Sequence, residues 1–227
     1  NKWLAVSYYN EAFKLNPRNG VSHNQLGTLV AGENFDIEAI FHYIYSLCSP
    51  IPAELSEANV SRIFQHNVEA LEQSSSTIVA LGEFNLKQFM QQVILVIDIF
   101  FYDKEISEFN TLCYSVLVNF KEYLIKSRRN SQADLTFHIT SIFMCCLLKL
   151  KMNNSPKVHN LNAFLIAFCA EIVDRTLVQM DEFIADHKNE NQEFMEQYGR
   201  RFYEFDKKVR QAREIYRSNG SVKAKEK

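Results

Sequence analysis

The chain has 227 residues, 47% hydrophobic and 23% charged, with a formal net charge of −2. Those are the proportions of an ordinary folded chain, long enough for one large helical domain or an elongated array with a continuous core. Only 6 Gly and 4 Pro argue against a loop-rich or all-β protein, and 18 Phe with 10 Tyr suit helix–helix seams.

The first predicted helix spans 3–15, with Leu4, Tyr8, Ala12 and Leu15 on one face. Asn16-Pro17-Arg18-Asn19-Gly20 stops it: Pro17 ends the helix and Gly20 permits a left-handed turn. A second helix is expected at 22–31, where the small Gly27 admits a close neighbour and Gly32 ends the run. Asp36 is placed as N-cap of a third helix at 37–48, carrying Ile37, Ile40, Phe41, Ile44 and Leu47. One spacing stands out here. Ala5 and Ala39 are 34 residues apart, as are Tyr9 and Tyr43, and Pro17 and Pro50 are 33 apart. Thirty-four residues is the period of a tetratricopeptide repeat, two antiparallel helices and their turns.

Pro50 and Pro52 close the repeat region, and Ser56 is the cap candidate for a helix at 57–75. Ser74–Thr77 reads as a linker, with Gly82 as a second weak point. Longer helices follow at 84–102, 107–126, 133–152, 158–185 and 190–217, the last bending near Gly199. Asn153-Asn154-Ser155-Pro156 is a clear break, and 218–227 reads as a disordered tail. No segment reads as a strand. The expected fold is all-α: a tetratricopeptide-like helical repeat (1–76), then a bundle of antiparallel helical hairpins (77–217), then the tail.

The five cysteines, Cys48, Cys113, Cys145, Cys146 and Cys169, lack any CxxC pair and sit in apolar stretches. They read as small buried hydrophobes in a reducing compartment. The apolar runs 93–101 and 141–150 are short for a membrane span, and Asp98 interrupts the first. A soluble intracellular chain with no membrane contact is expected.

Chemistry-bearing motifs are sparse. The six histidines show no metal spacing with one another, with Cys or with a carboxylate. His42 and His138 read as structural, and no HExxH, phosphate loop or nucleophile elbow occurs. No enzyme, catalytic residue, metal or cofactor is expected. Residues 1–198 carry 15 basic and 23 acidic side chains, net −8, whereas 199–227 carry 10 and 4, net +6. Arg200, Arg201, Lys207, Lys208 and Arg210 are the candidate contacts for nucleic acid or a partner, interleaved with Glu204 and Asp206. A solvated charged helix explains the same block.

Residues 5–50 carry a more specific pattern: Tyr8-Tyr9, Ala12, Pro17, Asn19-Gly20, Asn24-Gln25-Leu26 and the aromatic-rich helix Ala39–Leu47. This pattern resembles the Est-one/SMG family of telomerase-associated and nonsense-mediated mRNA decay proteins, and is most like its SMG-five branch. The resemblance implies a non-enzymatic scaffold in mRNA surveillance, in cytoplasm and nucleus. It implies part of a 14-3-3-like domain followed by a helical-hairpin extension. Implied partners are the phosphorylated RNA helicase of the decay pathway, a sister SMG protein as heterodimer, and protein phosphatase or decay machinery. The alternative is a telomerase-associated adaptor that binds telomerase RNA or single-stranded telomeric DNA. The family's phosphopeptide-binding basic residues are expected upstream of Asn1, so none is assigned here. Where the family has Arg-Ser-Leu this chain has Tyr45-Ser46-Leu47, and tyrosine cannot supply a guanidinium's charge or paired donors. Tyr9, Asn19, Gly20, Asn24, Gln25 and Leu26 are expected to be structural, with the two amides satisfying free groups at helix ends. Direct ligand contact by Asn24 and Gln25 is the competing reading.

Overall fold

The computed structural model describes residues 1–73, 84–105, 107–126, 129–186 and Lys207. Among these it has eight α-helices: α1 (Lys2–Leu15), α2 (Val21–Val30), α3 (Ile37–Cys48), α4 (Ser56–Gln73), α5 (Leu86–Phe101), α6 (Phe109–Lys126), α7 (Arg129–Met152) and α8 (Val158–Asp186). The fold class is all-α, a repeat-like start followed by antiparallel hairpins. Residues 1–171 form one compact unit and 172–227 a second. The boundary expected at 76/77, the Ser74–Thr77 linker, Gly82, most of the helix at 190–217 and the tail at 218–227 lie outside the described residues.

In the first unit α2 lies between α1 and α3, and α3 also packs on α4 and α7. The inward face of α1 differs from the expected one. Ala5, Val6, Tyr9 and Phe13 are half-buried, while Leu4, Tyr8, Ala12 and Leu15 are exposed. Helix α1 carries two apolar stripes one position apart, so spacing alone cannot choose between them. The choice falls to ring partners: Phe13 meets His23 at 4.6 Å and Tyr45 at 5.8 Å, both edge-on.

The repeat-matched residues Ala39 and Tyr43 are fully buried on the inner face of α3 with Ile37, Ile40 and Ile44. Gly27 makes this possible. A Cβ there would stand 2.7 Å from the Tyr43 ring, so only glycine lets that ring lie flat on α2. The loops after α1 and α3, the two that carry the near-matched prolines, lie side by side. Gly20 N–H donates to the Ile51 carbonyl at 2.8 Å, and Ile51 N–H donates to the Arg18 carbonyl at 3.0 Å. This isolated parallel bridge between Asn19 and Ile51 is the one β-type pairing among the described residues.

Two local expectations are corrected. Gly20 has φ −71 and is not left-handed. Its glycine is required by space, since a Cβ would meet Ser46 at 2.6 Å. Asp36 precedes α3 but makes no side-chain cap on it. Its carboxylate turns back and accepts the Gly32 N–H. A single turn of 3-10 helix at Asn34–Asp36 puts Phe35 and Asp36 at positive φ, which aims the Asp36 side chain away from the helix it begins.

Helix α5 packs on α4, α6 and α7, and is buried from Phe89 to Phe101 at nearly every position. The β-branched run 93–101 is therefore a core helix, buried all round rather than on one stripe. Asn85 caps it by accepting the Gln88 N–H at 3.1 Å. Around it the phenylalanines form a continuous aromatic core. Phe120 of α6 stacks on Phe168 of α8 at 3.8 Å, and Phe143 of α7 meets Phe164 edge-on at 5.1 Å. Burying such rings gains roughly 1.5–3 kcal/mol each.

The stretch Ala133–Met152 of α7, which contains the apolar run 141–150, is long and apolar enough to cross a membrane by length and composition. Its inner side, with Ile139, Ile142, Phe143, Cys146 and Leu150, is buried in the core against α3 and α5.

Candidate functional site: the polar hub around Asn24

Helix α2 presents Asn24 to α3 and α4, where the carbonyl of its side chain is buried. Asn24 Oδ1 accepts from Asn59 Nδ2 at 3.1 Å and from Ser56 Oγ at 3.0 Å. Ser56 Oγ also lies 2.8 Å from Ser46 Oγ. A hydroxyl has one proton, so Ser56 donates to Asn24 and takes the proton of Ser46. Ser46 and Ser56 are both completely buried. Ser56 was the expected cap of α4. Instead it is the helix's first residue, and its hydroxyl reaches inward. The hub thus ties α2, α3 and α4 through satisfied buried groups, each of which would be costly if left alone.

The other motif residues surround this hub. Asn19 Oδ1 accepts the Val21 N–H at 2.9 Å, opening α2. Gly20 lies on Ser46. Leu26 is buried in the core, Tyr9 is half-buried, and Gln25 is half-buried outside the network. Tyr45 stacks on His23 with ring centres 4.1 Å apart.

That stack belongs to a histidine–aromatic cluster that spacing did not reveal. His23 of α2 and His42 of α3 share a hydrogen bond between their Nδ1 atoms, 2.9 Å apart. His138 of α7 lies on Phe41 at 4.7 Å. An Nδ1–Nδ1 bond needs one ring to donate and the other to accept, so the two rings hold opposite tautomers when both are neutral. Burial lowers the His23 pKa to about 4. Burial, then the charges of His23 and His138, lowers His42 to about 3. The sequence, searched for metal-ligand spacing, gave no sign of this pair. Nineteen residues separate the pair along the chain, and only the α2–α3 packing joins them.

A second polar site lies between α4 and α5, a cavity of about 300 Å³ lined by Ser61, Phe64, Gln65, Glu69, Asp98 and Tyr102, with Lys104 beside them. Asp98, seen in the sequence only as an interruption, is buried and receives both bonds from Lys104 Nζ at 2.7 Å. Burial raises its pKa and Lys104 opposes that rise. Tyr102 O–H donates to Glu57 and accepts from Ser61, each at 2.7 Å.

Lys207 is exposed. Arg200, Arg201, Lys208 and Arg210 lie outside the described residues. Among the described residues no group of three or more His, Cys, Asp or Glu side chains could hold a metal ion. Ser46, Asn59 and Lys104 were missed. Ser46 had one usable signal: it falls three residues after Tyr43, on the buried face of α3.

Residues 5–217 match the family described as the Est1 DNA/RNA binding domain. The chain is similar to the nonsense-mediated mRNA decay factor SMG5 of Homo sapiens, 22% identical over 216 residues, which cover 82% of this chain and 21% of that protein. It is similar to SMG5 of Danio rerio, 22% identical over 205 residues (78% and 19%). It is also similar to SMG7 of Danio rerio, 24% identical over 157 residues (69% and 13%). These identities do not separate the two branches, and the chain spans about a fifth or less of the length of each relative.

Proposed function

The chain belongs to the Est1 DNA/RNA binding domain family, and we propose that it serves as a non-enzymatic adaptor in nonsense-mediated mRNA decay. The observation that carries this reading is the family match across 5–217, joined to decay factors in two of its branches. The packing supports it. Helices α2, α3 and α4 are cross-tied by buried side-chain bonds, which suits a rigid surface for holding partners.

The finer reading names the partners: the phosphorylated RNA helicase of the pathway, a sister SMG protein as heterodimer, and phosphatase or decay machinery, in cytoplasm and nucleus. A pull-down with the full-length protein, from lysate with and without phosphatase treatment, tests it. Recovery of the helicase only while phosphorylated supports a phospho-dependent adaptor. Recovery of the sister protein alone, whatever the phosphorylation, makes heterodimerisation its main work. Recovery of neither overturns the reading.

The family description itself favours a second reading, direct nucleic-acid binding through Arg200, Arg201, Lys207, Lys208 and Arg210. On this reading affinity for single-stranded RNA or telomeric DNA falls steeply with salt, and replacing those residues abolishes it. Binding that is flat with salt, or unchanged in the variant, removes this reading.

A further inference from the structure

Helix α7 is apolar on two opposite sides. Its inner side, with Ile139, Ile142, Phe143, Cys146 and Leu150, is buried. At about 3.6 residues per turn, the side facing directly away carries Phe137, Ser141, Met144, Leu148 and Met152. Ser141 is half-buried. The four large side chains are 61%, 48%, 56% and 82% exposed, in chain order. A helix that is apolar on opposite sides is normally covered on both. Helix α5 obeys this, being buried at nearly every position. Helix α7 does not: only 33% of its apolar stretch is buried. Its outer stripe is an apolar face without a cover.

The charges at the two ends of the stripe say what fits it. Asp134 is exposed at the N-terminal end, and Lys151 is exposed at the C-terminal end. A second α7 laid antiparallel on the first brings each Asp134 to the Lys151 of the other copy. The same register settles the positions between. Phe137 lies three residues after Asp134, and Leu148 three residues before Lys151, so these two oppose one another. Ser141 lies seven after Asp134, and Met144 seven before Lys151, so a small side chain receives a large one. Each contact occurs twice, as a two-fold axis requires. The stripe complements itself in charge and in size, over about 26 Å of helix.

We propose that the outer face of α7 is a homodimer interface, on which two copies of this chain pack antiparallel about a two-fold axis level with Ile142 and Phe143. Phe137, Met144 and Leu148 form its apolar centre, and the paired Asp134 and Lys151 close its two ends and set the register.

Sedimentation of the full chain over a concentration series at low salt tests this, with circular dichroism of each variant. The chain should pass from monomer to dimer and stop there, because an isologous contact closes on itself. Leu148→Glu, at an exposed position, should keep its helical spectrum and raise the dimer Kd at least about tenfold. Asp134→Lys should raise Kd about five- to tenfold, since two like-charge pairs replace two ion pairs. Lys151→Asp should do the same. Combining those two reversals should bring Kd back to within about twofold of wild type, which a merely sticky helix face would not do. Should Leu148→Glu lose its helical spectrum, the charge exchange decides alone. A wild-type chain that stays monomeric overturns the proposal, whether or not it then sediments with phosphatidylcholine vesicles or binds a different polypeptide. So does assembly beyond a dimer, or a combined variant no tighter than the single ones.

Discussion

Gly20 and Ser46 touch: a Cβ on Gly20 would stand 2.6 Å from both the Ser46 carbonyl oxygen and Ser46 Oγ. The first of those atoms is backbone and cannot swing aside. This contact brings the loop after α1 down onto α3, where the Ile51 carbonyl takes the Gly20 N–H.

Gly20→Ala should therefore lower stability by about 1–3 kcal/mol, the range for overpacking a tight site. Gly32→Ala is the informative contrast, because it meets nothing within 4 Å but has φ +84. Its loss should come from backbone strain alone, about 1–2 kcal/mol. Chemical denaturation of both variants measures the difference, and equal destabilisation by crowding is not expected. If Gly20→Ala is neutral, the close approach does not restrict this loop.

Asn24→Ala should strand the Ser56 hydroxyl and the Asn59 amide, at a cost of about 1–3 kcal/mol. Ser56→Ala should cost less in the Asn24→Ala background than in the wild type, because their shared bond is already lost. A double-mutant cycle reads this coupling, expected at ~0.5–3 kcal/mol for groups in one network. Additive effects would mean that the hub does not act as a unit.

Acid should weaken the α2–α3 seam before it weakens the rest. His23 and His42 have folded pKa values of about 4 and about 3, below the ordinary 6.5. The unfolded chain then binds more protons than the folded chain between those values. Their contribution is complete above about pH 6.5 and is lost as pH falls toward about 4 and then about 3. His138 is also lowered by burial, with Glu38 and Asp134 pulling it the other way. Denaturant melts at a series of pH values should show stability falling from about pH 6.5 downward. His42→Phe should flatten that slope. An unchanged slope in His42→Phe would place the acid sensitivity elsewhere.

Lys104→Met should leave the buried Asp98 carboxylate without its cation. Breaking such a pair costs up to about 3–5 kcal/mol when fully buried, and less here because Lys104 is half exposed. Burial already holds the Asp98 pKa above its usual value, and removing Lys104 raises it further. A raised folded pKa means that stability is lost as pH rises through it. The variant should therefore be less stable at neutral pH than at mildly acidic pH, relative to wild type. Adding Asp98→Asn should remove that dependence, which thermal melts across pH would show.

Much of the helical layout is legible in the sequence because its punctuation is local. Pro17, Gly32 and the Asn153–Pro156 break act on backbone within a turn or two, and the third helix falls where expected, at Ile37–Cys48. The all-α class and the 34-residue relation between Tyr9 and Tyr43 depend only on periodicity. The roles of individual side chains were harder to read. Helix α1 offers two equivalent apolar stripes, and Phe13's ring partners decide between them. Ser56 looks like a cap until Asn24 and Ser46 arrive beside it.

By itself, then, the sequence determined where helices begin and end, that they are helices, and which family pattern they carry. Those depend on backbone geometry and spacing within a few turns. Only the tertiary structure decided that His23 meets His42 and that Lys104 closes over a buried Asp98. The first pair joins separate helices, and both stand at positions with no shared period. Packing, which sets the distance between such groups, also sets their protonation.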